Sequence, residues 1–198
     1  MPGLTQKIHE TMPQAMTLKE FLAWPGDGEN GRNQLVDGEI RAMAPASFTH
    51  AIIQSNLARQ LGNHLDTQGN PCRTATEPGV EVRVKAQYNL RVPDIGVSCA
   101  PDRPGEVALA DPILLIEILS PGNPKDTWTN VWAYTTIPTV MEILVLHSFN
   151  IHAELLRREA DGSWPKETEQ IGADGVLRLT SIEFEAPLRD VYAKTYLA

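Results

Sequence analysis

Ile113-Leu114-Leu115-Ile116-Glu117-Ile118-Leu119 is a near-continuous apolar run interrupted by one glutamate. A strand buried on both faces has this composition, because neither side of it meets water. An ionised carboxylate inside such a strand is costly unless a cation or hydrogen bonds compensate it. Glu117 is therefore the residue that needs a physical explanation. A Pro/Asp/Gly-rich loop, residues 100–112, precedes the run. Before that loop the stretch 91–99 reads as another strand, and its Pro93-Asp94 step supplies a second acid. Two strands that each bring one carboxylate to the same sheet edge can hold Mg²⁺ or Mn²⁺, hard cations that take oxygen ligands and keep several waters. The bound ion would polarise a phosphodiester. The same residues also admit a structural reading, with Asp94 in a turn after proline and Glu117 in an ion pair with Arg91 or Lys85.

Working outward from this pair, Thr17-Leu18-Lys19-Glu20 fits a capping box that starts a short helix, broken by Pro25-Gly26-Asp27-Gly28. Asn33–Val36 and Glu39–Met43 flank Asp37-Gly38, which suits the positive φ angles of a type I′ hairpin turn. From Thr49 to Asp66 the residues Ile53, Leu57, Leu61 and Leu65 recur at helical spacing, so this helix should lie on a sheet. Strand-like stretches are expected at 72–76, 80–84, 141–147, 151–158, 167–171 and 176–179. Asp126 or Thr127 can cap a helix carrying Trp128, Val131, Trp132 and Thr135 on one face, stopped by Pro138. Trp128 and Trp132 read first as core or dimer packing and second as a base-stacking platform. There is no internal repeat and no linker. The expected organisation is a mobile lead-in over residues 1–16 and a single domain over 17–198.

Composition narrows the function. The chain carries a formal net charge of −8, which argues against a protein that coats nucleic acid through basic residues. A metal-dependent enzyme can still be acidic, since its site carboxylates count as negative until cations fill them. No apolar run approaches the roughly 20 residues of a membrane span, and the N-terminus lacks a secretory hydrophobic core. The two cysteines, Cys72 and Cys99, have neither CxxC nor zinc-ligand spacing and read as reduced thiols of a cytoplasmic protein. A phosphate-cradling glycine loop, a G-x-S-x-G elbow and an H-E-x-x-H pair are all absent from the sequence.

Taken as a set, Arg91-Val92-Pro93-Asp94-Ile95-Gly96-Val97 and Leu115-Ile116-Glu117-Ile118-Leu119-Ser120-Pro121 resemble the core motifs of a bacterial family of restriction-endonuclease-like proteins in the PD-(D/E)XK nuclease superfamily. Leu35-Val36-Asp37-Gly38-Glu39-Ile40, Met43-Ala44-Pro45, His50 at the start of a long helix, and Tyr134 with Pro138 fit the same pattern. The resemblance spans about Thr17 to Tyr192.

It implies an α/β fold, a restriction-endonuclease-like mixed β-sheet core flanked by helices. It also implies Mg²⁺ or Mn²⁺ held by Asp94, Glu117 and the backbone carbonyl of Ile118, and endonuclease chemistry on DNA. By fold analogy it implies a homodimer that reaches both strands. The superfamily lysine two residues after the glutamate is replaced by Leu119. In this family that lysine typically moves to the following helix, one turn before the tyrosine, where Asn130 or Val131 stands. Lys125 is the first candidate to replace it, ahead of Lys85 and Arg91. His50 and Arg91 are candidates to orient a phosphate or a water, and Ser120 to bond near Glu117 or to form a turn. Gln34 stands where many relatives carry a glutamate. The rival reading is a catalytically silent nuclease-fold module that binds nucleic acid or protein.

Overall fold

A computed structural model describes residues 15–26, 28 and 32–198. In chain order the elements are helix α1 (Leu18–Ala23), strands β1 (Asn33–Val36) and β2 (Glu39–Ala42), helix α2 (Phe48–Thr67), strands β3 (Arg73–Thr76), β4 (Ile95–Ser98) and β5 (Pro112–Leu119), helix α3 (Pro124–Tyr134), strands β6 (Glu142–His147), β7 (His152–Arg157), β8 (Glu169–Gly172), β9 (Val176–Leu179) and β10 (Phe184–Pro187), and a one-turn helix α4 (Leu188–Val191). Six strands form one sheet in the order β3-β4-β5-β6-β7-β8. The β5–β6 pair is parallel and crosses over through α3, and the other pairs are antiparallel. The sheet is therefore mixed, as expected, and the apolar run is an interior strand of it.

Successive β5 side chains go to opposite faces. Leu114, Ile116 and Ile118 pack in the core with Ile53, Leu57, Leu61 and Leu65 of α2. Leu115 and Leu119 pack with Val131 and Tyr134 of α3. The α2 stripe is almost fully buried, as its spacing required. Ser47 caps α2 by accepting the His50 N–H. The Thr17–Glu20 capping box is formed in both directions. Asp37 and Gly38 both have positive φ, 53° and 86°, the I′ geometry that their pairing predicts.

Several local expectations shift. The strand expected at 80–84 is reduced to bridges, Val80 to Arg91 and Gly79 to Ala108. Val80 and Val82 are buried while Val84 is exposed, so the alternation reflects burial without a ladder. The strand expected at 91–99 begins only at Ile95, and Asp94 lies in the bend before it. Helix α3 starts at Pro124 after Asn123, earlier than a cap at Asp126 or Thr127, because proline is favoured in a first helical turn. Its buried face is Thr127, Asn130, Val131, Ala133 and Tyr134. Trp132 is half exposed, and Trp128 lies beside it with ring centroids 6.1 Å apart.

The expectation of two reduced thiols is overturned. Cys72 and Cys99 are joined as a disulfide. Arg73 faces Ser98 in the antiparallel β3–β4 ladder, so the residues just outside that pair also face each other. Sequence spacing does not reveal this register. The lead-in expected over 1–16 lies, through residue 14, outside the described residues, and the Met16 N–H bonds to the Gly38 carbonyl at 2.9 Å. Among the described residues no helix is long and apolar enough to cross a membrane.

Candidate metal centre

In the β4–β5 ladder Ile95 faces Ile116. Extending that antiparallel register by one residue sets Asp94 against Glu117. Pro93 has no N–H to continue the ladder, and the Asp94 side chain takes over a ladder role. Its Oδ2 accepts the Ile118 N–H at 2.6 Å, where a strand carbonyl would otherwise sit. Its Oδ1 lies 2.8 Å from His50 Nε2. The Asp94 carbonyl accepts from Gln54 Nε2 and from the Glu77 N–H, each at 2.9 Å. Both ends of the residue are thus fixed, by α2 on one side and by β5 on the other.

Glu117 reaches into the layer between the sheet and α3. Its Oε1 accepts from the Tyr134 hydroxyl at 2.6 Å and from Asn130 Nδ2 at 3.3 Å. Both described hydrogen bonds fall on Oε1, leaving the lone pairs of Oε2 for another partner. Burial, reinforced by the Asp94 charge, pushes the Glu117 pKa well above the carboxylate range, against the opposing pull of Tyr134, Asn130 and Arg91. Burial and the Glu117 charge likewise push the Tyr134 phenol up, so it remains a donor.

A second buried glutamate provides the control. Glu142, at the start of β6, is fully buried. It accepts from Arg157 Nε at 2.8 Å, from the Thr180 N–H and hydroxyl at 3.1 Å each, and from the Ser181 N–H at 2.8 Å. Burial raises its pKa, but the Ser181, Arg157 and Thr180 bonds prevail and hold it below the usual value. Glu142 is a compensated structural anion. Glu117 is only partly compensated by protein groups, through Tyr134 and Asn130, and its carboxylate beside Asp94 is a donor set that would suit a hard divalent cation.

The structural reading of Glu117 as a simple ion pair is not what forms. Lys85 bonds Asp37 at 2.7 Å. Arg91 is buried and reaches Glu117 through Asn130, donating from Nη1 to Asn130 Oδ1 at 3.1 Å. Arg91 therefore lies on the Glu117 side of the sheet, not across it as regular strand alternation would have it, because the backbone is not a strand between Arg91 and Ile95. Burial lowers its pKa. Arg91 Nε and His50 Nδ1 are buried without a hydrogen-bond partner among the described residues, so polar capacity is left unspent around the two acids.

Lys125 is exposed in the first turn of α3, off the face that this helix buries. Ser120 is turn-forming: its carbonyl accepts the Asn123 N–H at 3.3 Å. Leu119, two residues after Glu117, is buried in the α3-side core. Gln34 Oε1 is buried without a partner among the described residues. The residues that sequence reasoning did not assign are Tyr134 as the donor to Glu117, Asn130 as the link to Arg91, and Gln54 behind Asp94. For the first two the sequence carries a signal, the one-turn spacing of Asn130 and Tyr134 on α3, although Asn130 has no charge to mark it.

Comparison with known proteins bears on family and fold. The profile of the family Uma2, described as "Putative restriction endonuclease", matches residues 18–187. An uncharacterized protein of Synechocystis sp. is 28% identical over 148 residues, covering 74% of this chain and 76% of that one. A crystal structure from Anabaena variabilis, described as "a putative nuclease belonging to DUF820", superposes with a TM-score of 0.71 at 20% identity and covers 90% of this chain and 98% of its own. At that identity the likeness concerns the fold.

Proposed function

Since this chain belongs to the Uma2 family, we propose that it is a divalent-metal-dependent endonuclease hydrolysing phosphodiester bonds in DNA, with Asp94 and Glu117 as its metal-binding acids. The observation that carries this reading is the contrast between the two buried glutamates. Glu142 is compensated by protein donors, whereas Glu117 is left with a raised pKa beside a second carboxylate.

Asp94, Glu117 and the Ile118 carbonyl would hold Mg²⁺ or Mn²⁺, which when bound supplies Lewis-acid polarisation of a phosphodiester and a more acidic water. The protein's own part is orientation and charge. Tyr134 and Asn130 hold Glu117 by Oε1. His50 and the Ile118 amide hold Asp94. Arg91 is the cation closest to the role of the missing lysine. It is linked through Asn130, which with Val131 stands one turn before Tyr134, where the family's relocated lysine would be. Its guanidinium offsets negative charge that builds on the phosphate as the bond breaks. Lys125 would have to swing in from the exposed first turn of α3 to do the same.

Two copies of the chain acting together would let the enzyme reach both strands of a duplex. The test is a Mn²⁺-dependent cleavage screen over single-stranded, duplex and branched DNA, run with wild type and Asp94→Asn. Cleavage by wild type that is lost in the variant supports the reading. Metal binding with no cleavage across the screen would instead favour a silent nuclease-fold module.

A further inference from the structure

At the end of β6 and the start of β7, His147, His152 and Glu154 each bring a ligand atom to within 4.8 Å of the other two. We propose that these three residues form a second metal site, specific for a divalent transition metal such as Zn²⁺ and separate from the Asp94–Glu117 pair.

The hydrogen bonds around the cluster already have the arrangement that metal ligands require. Gln170 Nε2 donates to Glu154 Oε2 at 3.0 Å, so the Gln170 carbonyl oxygen is the atom that faces His152 Nε2 at 2.7 Å. His152 must then donate from Nε2, which leaves a lone pair on Nδ1. His147 Nδ1 lies 3.1 Å from Asn150 Oδ1. With that nitrogen as donor, His147 Nε2 carries its lone pair towards Glu154 Oε1, 3.1 Å away. Two acceptors at that distance need a cation between them or a proton on the ring. Ligating histidines characteristically donate their other ring N–H to an oxygen in this way. The second Glu154 oxygen is held by the Thr168 hydroxyl at 2.8 Å.

The scaffold is also held in place. The Tyr192 hydroxyl lies 2.9 Å from the His147 carbonyl and 2.9 Å from the His152 carbonyl, clamping both ends of the hairpin that carries the imidazoles. Two imidazoles and one carboxylate select Zn²⁺ and its neighbours over Mg²⁺, and three protein ligands leave a coordination position open. The strand positions set the cluster apart from the acid site. Glu117, Val145 and Glu154 stand in one row across β5, β6 and β7, so Glu154 is two strands, about 10 Å, from Glu117. Paired catalytic ions lie about 3.5–4 Å apart.

The test is calorimetric Zn²⁺ titration of chelator-treated full-length chain, with the visible absorption of Co²⁺ as a second readout. Wild type and Asp94→Asn should each bind one equivalent with a Co²⁺ spectrum of imidazole ligation. His152→Ala should lose that equivalent and the spectrum while keeping Mn²⁺ binding at the acid pair. Gln170→Ala, which removes the outer hydrogen bonds to His152 and Glu154 and no ligand, should weaken Zn²⁺ by about 10–100-fold and serves as the test variant if His152→Ala does not fold. No Zn²⁺ equivalent in wild type, an equivalent lost in Asp94→Asn but kept in His152→Ala, or an unchanged affinity in Gln170→Ala would overturn the proposal.

Discussion

The Ile118 amide donates to Asp94 Oδ2 at 2.6 Å, side chain to neighbouring strand. The bond ties an acid that lies outside any strand to the residue that follows the other acid. It fixes the Asp94 carboxylate against the backbone of β5, one residue from Glu117. Removing the Asp94 charge should therefore alter metal affinity with little change of fold. In Asp94→Asn, Mn²⁺ affinity measured by calorimetry should fall at least tenfold while circular dichroism is retained. Unchanged affinity would remove Asp94 from the site.

Stability should depend on pH and metal together. The folded-state pKa of Glu117 lies above its ordinary value, with burial the first cause and Asp94 the second. A raised carboxylate contributes stability that is whole below the ordinary carboxylate pKa, about 4.3, and is lost as pH rises through the folded-state value. A divalent ion binds the deprotonated form and reverses that loss. The rise in Tm on adding Mn²⁺ should thus grow with pH across that window. A Tm increment that stays flat with pH would count against Glu117 as a ligand.

Tyr134→Phe removes the shortest hydrogen bond to Glu117, 2.6 Å, and leaves the ring in the core. The Glu117 pKa should climb further, and Mn²⁺ affinity near neutral pH should drop by about 10–100-fold, the usual cost of losing an outer-shell partner. Raising the pH should recover part of the loss, which a purely structural role for Tyr134 would not produce.

Cleavage should separate Arg91 from Lys125. Arg91→Met should cost on the order of 10²–10³ in rate, as for loss of one well-placed electrostatic group, with Arg91→Lys retaining more activity than Arg91→Met. Lys125→Ala should cleave at nearly the wild-type rate. The reverse pattern would return the cation's role to Lys125.

Leu57 lies at the centre of the α2 stripe and is fully buried against the sheet. Leu57→Ala should destabilise the fold by about 2–5 kcal/mol, read by urea denaturation with an unchanged m-value.

What the sequence determined by itself acts over a few residues along the chain. The Thr17 cap, the Asp37-Gly38 turn and the α2 stripe follow from backbone preferences and from the helical period. The place of Glu117 in an interior strand follows from the apolar run around it. Each is a consequence of local φ/ψ energetics or of which face must leave water, and both are written in residue order. The tertiary structure decided what depends on register and layer packing: Cys72 opposite Cys99, Glu142 compensated from residues 180 and 181, Arg91 joined to Glu117 through Asn130, and His147, His152 and Glu154 gathered at one hairpin. Most of these contacts join side chains far apart in the sequence. Their energies rest on through-space distances of a few ångström, set only once the strands have chosen their neighbours and α3 has docked with Tyr134 against Glu117.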